Sequence, residues 1–226
     1  GTYTGNGSTS GPIVETGFEP AFLMIKKTDG TGSWYMYDNK RTTNNPRNII
    51  LQANESAAEG GTSYSHLDFL SNGFQLKTTN AEFNGNNGNY IYLAIAADPD
   101  QTDPTVENSF NAITYTGTGS SSSTSFTGVG FNPDMVWIKN RTSSGENHAL
   151  ADTVRGGGYI LYPNLTLAQT TSTYITPSTD GFTISTGNNN ILNHNYIAWC
   201  WKAGDHDDNL PQINTEGSID SVVSVN

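Results

Sequence analysis

Charged side chains are scarce in this chain, and basic ones are the scarcer. Asp, Glu, Lys and Arg make up 14% of the 226 residues, and 21 acidic residues outnumber 10 Lys and Arg, for a net charge of -11. A nucleic-acid partner is disfavoured, because such binding depends on clustered basic side chains that displace counterions from phosphates. The same balance argues against attraction to anionic lipid.

Long apolar runs and paired cysteines are also missing. No apolar run approaches the roughly 20 residues that a membrane-spanning helix needs, so we expect no membrane insertion. The only cysteine, Cys200, rules out a disulfide within the chain. It lies in an apolar stretch whose alternation predicts burial on a strand, and buried Cys behaves as a small hydrophobe rather than as a nucleophile.

Glycine and aromatic residues are plentiful, with 24 Gly and an aromatic content of 11%. Aromatic and β-branched residues recur at strand spacing, so the low charge does not indicate disorder. Clusters of Gly, Asn, Ser and Thr separate short apolar runs, and no long 3.6-residue periodicity is present. The sequence therefore predicts an all-β fold.

Residues 1–97 and 115–203 carry the same pattern twice. Matching strings follow in the same order, namely Tyr3-Thr4-Gly5 and Tyr115-Thr116-Gly117, Gly17-Phe18-Glu19-Pro20 and Gly130-Phe131-Asn132-Pro133, and Gly73-Phe74 and Gly181-Phe182. Ordered matches at a slowly drifting offset indicate a tandem duplication. Since Gly1 falls inside what is a fuller strand in the second copy, Phe110 to Gly117, we expect the chain to be an excerpt of a longer protein.

Two tandem β-sandwich modules of jelly-roll or concanavalin-A-like type are the predicted architecture, because short strands with tight turns pack as two twisted sheets. The predicted boundaries are module 1 at 1–97, an acidic Pro-containing linker at 98–109, module 2 at 110–204, and a second acidic linker with an extra C-terminal strand at 205–226. That extra strand, Ile219 to Val225, is expected to pair with module 2, with further chain or with a neighbouring subunit.

Alternation within the last strand of each copy assigns one face to the core. This face carries Ile91, Leu93 and Ile95 in copy one, and Ile197, Trp199 and Trp201 in copy two. The Asn- and Gly-rich stretches 84–88 and 187–190 predict hairpin tips, because Asn and Gly tolerate positive φ. Single helical turns are predicted at 54–59 and 164–169.

Several strings carry a resemblance to a known family. They are Gly17 to Lys26, Trp34 to Arg41 and Phe69 to Phe74 in copy one, and Gly130 to Arg141, Asp152 to Gly156 and Tyr196 to Gly204 in copy two. Through them the chain resembles a repeat module of phage tail-fibre and other virion appendage proteins, of the type found in phages of marine bacteria, which is similar to concanavalin-A-like sandwiches. The resemblance covers nearly all the chain and implies a virion fibre or adhesin. It transfers no catalytic residue.

An Asp-x-x-Arg motif follows an apolar strand in both copies, as Asp38 with Arg41 and as Asp152 with Arg155. A carboxylate that accepts main-chain N–H groups and pairs with a nearby guanidinium pins a turn. Because both copies keep the motif, we predict a structural role for these four residues rather than a ligand site.

The aromatic residues Trp34, Tyr35 and Tyr37 belong to copy one alone, since His148, Ala149 and Ala151 replace them in copy two. Their outward members are candidates for a glycan-contact surface on which a pyranose ring stacks. Packing within the strand is the favoured interpretation.

Acidic clusters in the two predicted linkers are candidate Ca²⁺ ligands, because hard cations prefer carboxylate oxygens. The candidates are Asp98, Asp100, Asp103, Asp205, Asp207 and Asp208. A complete calcium loop with a terminal bidentate Glu is missing, so a solvated linker without any cofactor is the favoured interpretation. His206 beside these carboxylates suggests zinc or nickel more weakly.

Catalytic motifs are missing: no Gly-x-Ser-x-Gly is present, and no His accompanies a recognisable nucleophile. Asp68 and Glu82 could act as the carboxylate pair of a glycoside hydrolase, but copy two keeps no clear counterparts. We predict a non-enzymatic structural or adhesion module of a phage tail fibre or similar extracellular fibre, bound to copies of itself or other fibre subunits. A carbohydrate-binding adhesin for a host surface glycan is the alternative, and a polysaccharide-degrading enzyme ranks third.

Overall fold

The computed structural model describes residues 1–61, 66–96, 110–156, 158–171, 175–185 and 187–203, together with the backbone of residues 212–214 and 221–223. These residues form antiparallel sheets and a single helix of four residues, so the predicted all-β class is confirmed. Within these ranges no helix has the length and apolar character needed to cross a membrane.

The N-terminal half of the chain folds into two sheets. Its elements are β1 (Thr2–Thr4), β2 (Ile13–Glu15), β3 (Pro20–Lys27), β4 (Tyr35–Asp38), β5 (Leu51–Gln52), β6 (Leu67–Leu70), β7 (Gly73–Leu76), α1 (Ala81–Asn84) and β8 (Asn89–Ala96). The larger sheet has the order β1-β8-β3-β4-β5 and the smaller one β2-β7-β6.

The C-terminal half is built in the same way. Its elements are β9 (Phe110–Thr116), β10 (Thr124–Thr127), β11 (Met135–Asn140), β12 (Ala149–Asp152), β13 (Tyr159–Ile160), β14 (Thr170–Thr171), β15 (Ile175–Ser178), β16 (Gly181–Ile184) and β17 (Asn195–Trp201). The larger sheet has the order β9-β17-β11-β12 and the smaller one β10-β16-β15, while β13 and β14 pair with each other. In both sheets the strand order corresponds to that of the N-terminal half.

Each half encloses its own apolar core between its larger and smaller sheets, as in a β-sandwich. A stacked tyrosine pair occupies the same place in both cores. The ring centroids of Tyr3 and Tyr90 lie 4.8 Å apart, and those of Tyr115 and Tyr196 lie 4.9 Å apart. Tyr3, Tyr115 and their partners come from neighbouring strands of the larger sheets.

The repeated Gly-Phe string has a backbone cause. Gly73 and Gly181 both adopt φ of 153°, a conformation that residues with a side chain rarely adopt. A Cβ would lie 2.0 Å from the Val14 carbonyl oxygen at Gly73 and 2.1 Å from the Phe126 carbonyl oxygen at Gly181. Only glycine therefore fits where β7 and β16 approach their neighbouring strands.

Four local predictions are wrong. Residues 84–88 and 187–190 are not hairpin tips, because the strands on either side of them belong to different sheets. The first stretch instead follows the short helix α1, whose first turn is capped by the Asn80 side chain accepting a hydrogen bond from the Glu82 N–H. Residues 54–59 and 164–169 contain no helical turn.

The face of β8 predicted to be core is wrong at Ile91 and Leu93, although Ile95 packs partly buried against the third apolar cluster described below. Ile91 is 37% exposed and Leu93 is 50% exposed, whereas Tyr90 on the opposite face is buried in the core of the N-terminal half. Both faces of this strand are apolar, so alternation alone could not assign the inward one. In β17 the equivalent residues Ile197 and Trp199 are buried, but outside the core of their own half.

These residues belong to a third apolar cluster, which lies between the two halves and is called the central core below. Its buried members are Ala21, Phe22, Met36 and Leu51 from the N-terminal half and Phe110, Ala112, Ile197 and Trp199 from the C-terminal half. The outer faces of the two larger sheets therefore pack against each other.

The C-terminal tail contains β18 (Gln212–Asn214) and β19 (Ser221–Val223), which pair antiparallel with each other. The described part of the predicted extra strand, Ser221–Val223, therefore pairs with Gln212–Asn214. The predicted linker at 98–109 and residues 205–211 lie outside the described residues.

Candidate functional site

The contact between the two halves combines aromatic side chains with buried polar and charged groups. At its centre lies Trp199, whose side chain is buried between the two larger sheets. The rings of Phe22 and Trp137 both meet the indole edge-on, with centroids 5.8 Å away. Edge-to-face packing of this kind contributes about 0.5–1.5 kcal/mol per pair beyond burial itself.

A buried ion pair closes one side of the central core. Asp38 accepts hydrogen bonds from the Arg41 main-chain N–H at 2.8 Å and from Arg41 Nε at 2.6 Å. Trp199 Nε1 donates to the same carboxylate at 3.2 Å, and the Arg41 guanidinium lies 5.8 Å from the centroid of the Trp199 ring. The turn of the N-terminal half is thereby joined to a strand of the C-terminal half.

The second Asp-x-x-Arg motif has the same local geometry at the surface. Asp152 accepts from the Arg155 main-chain N–H at 2.8 Å and from Arg155 Nε at 2.6 Å. Partial burial would raise the pKa of Asp152, but the hydrogen bonds and charge of Arg155 outweigh it and hold that pKa below its usual value. The side chains of this pair are about one-fifth exposed, whereas those of Asp38 and Arg41 are buried.

His148 crosses the contact between the halves with a fixed tautomer. Its Nε2 lies 3.0 Å from the Gln52 carbonyl oxygen and 3.1 Å from the Glu55 carbonyl oxygen, so this nitrogen donates. Its Nδ1 accepts from Trp137 Nε1 at 2.9 Å, because an indole N–H can only donate. Burial lowers the pKa of His148 to about 4, and the charge of Lys139 adds to this effect.

Lys139 is fully buried beside the same contact. Its Nζ donates to three carbonyl oxygens, at 3.2 Å to Ser56, 2.9 Å to Asn140 and 3.1 Å to Glu146. The three acceptors match the three N–H groups of an ammonium. Burial lowers the pKa of Lys139 to about 8, although the Glu146 carboxylate opposes this shift.

An ion pair at the rim completes the contact. Arg141 donates from Nε to Glu59 at 2.7 Å and from Nη2 at 3.0 Å, which is a bidentate pair across the two halves. The main chain of the same segment takes part, since Gly145 N–H donates to the Ser56 carbonyl oxygen at 3.0 Å. Residues 54–59 thus form a strap held against the C-terminal half.

The structure corrects the set of predicted glycan-contact residues. Tyr35 and Tyr37 are buried in the core of the N-terminal half, so their rings offer no face to a sugar. Trp34 is 37% exposed, and its main-chain N–H donates to Asn54 Oδ1 at 2.8 Å. The Asn54 amide also lies within hydrogen-bond distance of Ser33 and Glu55, so polar groups lie close to the main chain of this partly exposed tryptophan.

The predicted metal ligands Asp98, Asp100, Asp103, Asp205, Asp207 and Asp208 lie outside the described residues. Among the described residues, no three His, Cys, Asp or Glu side chains come together as a metal site would require.

The residues considered for catalysis lie in separate environments. Lys77 pairs with Asp68 at 3.7 Å, while Glu82 accepts a hydrogen bond from the Tyr35 hydroxyl. Cys200 is buried, and burial raises the pKa of its thiol to about 12, which keeps it protonated at neutral pH.

Sequence reasoning missed His148 and Lys139 and assigned Trp199 to the wrong core. One signal was available, since β17 carries Trp199 and Trp201 where β8 carries Leu93 and Ile95. Larger aromatic side chains on the outer face of one copy indicate that this face is covered.

Comparison with known proteins identifies a family and nothing more specific. No curated protein and no solved structure matches the chain. A family model described as a domain of unknown function, DUF7483, matches residues 1–99 and 105–226. The chain therefore belongs to the DUF7483 family.

Proposed function

We propose that this chain is a non-enzymatic structural and adhesion module of a phage tail fibre or a similar extracellular fibre. In this proposal it consists of two tandem β-sandwich modules of jelly-roll or concanavalin-A-like type that arose by duplication. The corresponding strand orders of the two halves support the duplication. The resemblance of the repeated strings to virion appendage modules supports the location.

The observation that carries the proposal is the central core, since it joins the two halves into one body. A fibre must keep its shape under load, which two sandwiches on a flexible tether would not do. Here Trp199 is buried between the sheets, Asp38 ties it to a turn of the other half, and Arg141 pairs with Glu59 at the rim. Such contacts fix an angle between modules rather than only a distance.

Immunogold electron microscopy tests the location directly. Antibodies raised against the purified chain are applied to intact particles and cells from the source of the sequence. We expect label on particle appendages or on extracellular fibres. Label confined to the cell interior would overturn the proposal.

A glycan-binding role is the second candidate, and the partial exposure of Trp34 favours it. A pyranose stacks on one face of an indole, while amides and carboxylates bind its hydroxyl groups. Asn54 and Glu55 supply both group types beside Trp34.

A glycan array separates this candidate from a purely structural role. We expect Trp34→Ala to lose retention on any glycan that the wild-type chain binds. Tyr159→Ala is the matched control, because Tyr159 is an aromatic residue with the same 37% exposure in the other half. Retention that survives Trp34→Ala, or is lost equally in the control, would exclude Trp34 as the site.

A further inference from the structure

The two halves contact each other through different parts of equivalent sheets. The N-terminal half contributes β3, β4, β5 and the strap at 54–59, which together are called the β3–β5 surface, and Ile95 at the end of β8 packs partly buried beside them. The C-terminal half contributes the outer faces of β9 and β17, part of β11, residues 141–145 and His148, which together are called the β9–β17 surface. Because the surfaces are not equivalent, the contact is heterologous, and each half keeps one surface that the contact does not use.

The unused surface of the C-terminal half is the counterpart of the β3–β5 surface. Leu150 and Leu161 form an antiparallel β-bridge on this surface. They correspond to Met36 and Leu51, which pair between β4 and β5 in the N-terminal half. Met36 and Leu51 are buried in the central core, whereas Leu161 is 37% exposed. Residues 164–169 correspond to the strap, and Leu167 within them is 60% exposed. This region is called the β11–β13 surface.

The unused surface of the N-terminal half is the counterpart of the β9–β17 surface. In the N-terminal half, Leu93 pairs with Met24 and Ile91 pairs with Lys26. The equivalent pairs in the C-terminal half are Trp199 with Trp137 and Ile197 with Lys139. Trp199 and Ile197 are buried, but Leu93 and Ile91 are exposed. This region is called the β1–β8 surface.

The β1–β8 surface also carries Lys26, the counterpart of Lys139 in the contact within the chain. Lys26 Nζ donates to the carbonyl oxygen of the following residue, as Lys139 Nζ does. Lys139 in addition donates to the strap carbonyl of Ser56. Lys26 is therefore placed to donate in the same way to the main chain of residues 164–169 in a second molecule.

We propose that the β1–β8 surface of one copy binds the β11–β13 surface of another, so that the contact within the chain is repeated between chains. The proposal deepens the fibre function proposed above and rests on it. A heterologous contact whose rotation does not close builds an open chain of subunits, which a fibre requires. Five exposed large apolar side chains, Ile91, Leu93, Leu161, Leu165 and Leu167, would be covered.

The contact between chains is expected to be weaker than the one within the chain. Leu93 replaces Trp199 and supplies no indole N–H to the Asp152 carboxylate, and Thr28 stands where Arg141 forms its ion pair with Glu59. The contact within the chain also has the benefit of a covalent link between its partners. Assembly should therefore depend on concentration.

Two blocked variants test the proposal on the full chain. Leu93→Glu blocks the β1–β8 surface and Leu167→Glu blocks the β11–β13 surface, each by placing a charge on an exposed position. Ile13→Glu and Leu192→Glu are matched controls, since these residues are 61% and 58% exposed outside both surfaces. Circular dichroism verifies that all four variants keep the β fold.

Sedimentation velocity from about 1 μM to 1 mM gives the readout. Wild type and both controls should grow into multimers as concentration rises, while each blocked variant stays monomeric. An equimolar mixture of Leu93→Glu and Leu167→Glu should form a dimer and nothing larger. The first variant keeps an intact β11–β13 surface and the second an intact β1–β8 surface, so only one contact can form.

Three outcomes would overturn the proposal: a wild type monomeric throughout, a control that abolishes assembly, or a mixture of blocked variants that stays monomeric. If the chains do not self-associate, immunogold labelling of appendages would be unaffected. Loss of labelling with intact assembly would instead reject the fibre location and keep the self-association.

Discussion

At the scale of single residues, His148 makes the contact between the halves sensitive to acid. Its Nδ1 accepts from the Trp137 indole, so a proton on that nitrogen would face another N–H. Burial and the charges of Lys139 and Arg41 oppose protonation and outweigh the hydrogen bonds to the Gln52 and Glu55 carbonyl groups, so the pKa is about 4. In the unfolded chain the imidazole takes up a proton at about pH 6.5.

The sign of the pH effect follows from these two values. Above pH 6.5 His148 is neutral in both states and favours neither. As the pH falls from 6.5 towards 4 the unfolded state binds the proton first, so stability is lost across that window, by about 3 kcal/mol in total. Urea unfolding at pH 7 and pH 4.5 should show this loss in the wild type and a smaller loss in His148→Gln. An equal acid sensitivity in both proteins would contradict the assignment, and His194→Gln is the control outside the contact.

The two Asp-x-x-Arg motifs offer a matched comparison of one ion pair in two environments. Asp38→Asn leaves the buried Arg41 guanidinium without its counter-charge and should cost about 3–5 kcal/mol of unfolding free energy. Asp152→Asn removes the same charge from a pair that is about one-fifth exposed, where solvent screens the charge, and should cost less than about 1 kcal/mol. Thermal and urea unfolding of the two variants measure the difference. Equal costs would show that the contact with Trp199 adds nothing to the motif.

At the scale of elements, β8 and β17 show how one repeated strand acquires two roles. Trp199→Leu puts into β17 the residue that β8 carries at the same position. It should cost about 2–4 kcal/mol, because it opens a cavity in the central core and removes the hydrogen bond to Asp38. Leu93→Ala, at the equivalent half-exposed position, should cost less than about 1 kcal/mol in dilute urea unfolding. Similar values for the two variants would contradict the asymmetry.

These elements also separate what the sequence could predict from what it could not. The strands, the all-β class and the turn at Asp38 depend on local patterns, and local patterns were visible. The inward face of β8 could not be predicted, because the alternation of side chains along a strand defines two faces without showing which one is buried. Contacts of His148 with Gln52 and Glu55 join residues more than 90 positions apart, and only the docking of one sheet on another brings them together.

At the scale of the whole molecule, the central core determines whether the two halves unfold together or separately. Each half encloses a core of its own and could in principle unfold alone. Exposing the central core would, however, uncover Phe22, Trp199 and the buried Asp38–Arg41 pair at once. The cost of separation falls on both halves, which couples their unfolding.

Differential scanning calorimetry of the wild type should therefore show one transition whose calorimetric and van't Hoff enthalpies agree, as for a two-state domain. Trp199→Ala removes the side chain at the centre of the contact and should cost about 3–5 kcal/mol, enough to divide the trace into two transitions. Ile160→Ala is the control, since Ile160 is buried in the core of the C-terminal half and not in the central core. It should lower the melting temperature while keeping a single transition, because the two halves stay joined. Two transitions in the wild type would mean that the halves unfold independently, and the rigid spacing on which the fibre proposal depends would then lose its physical basis.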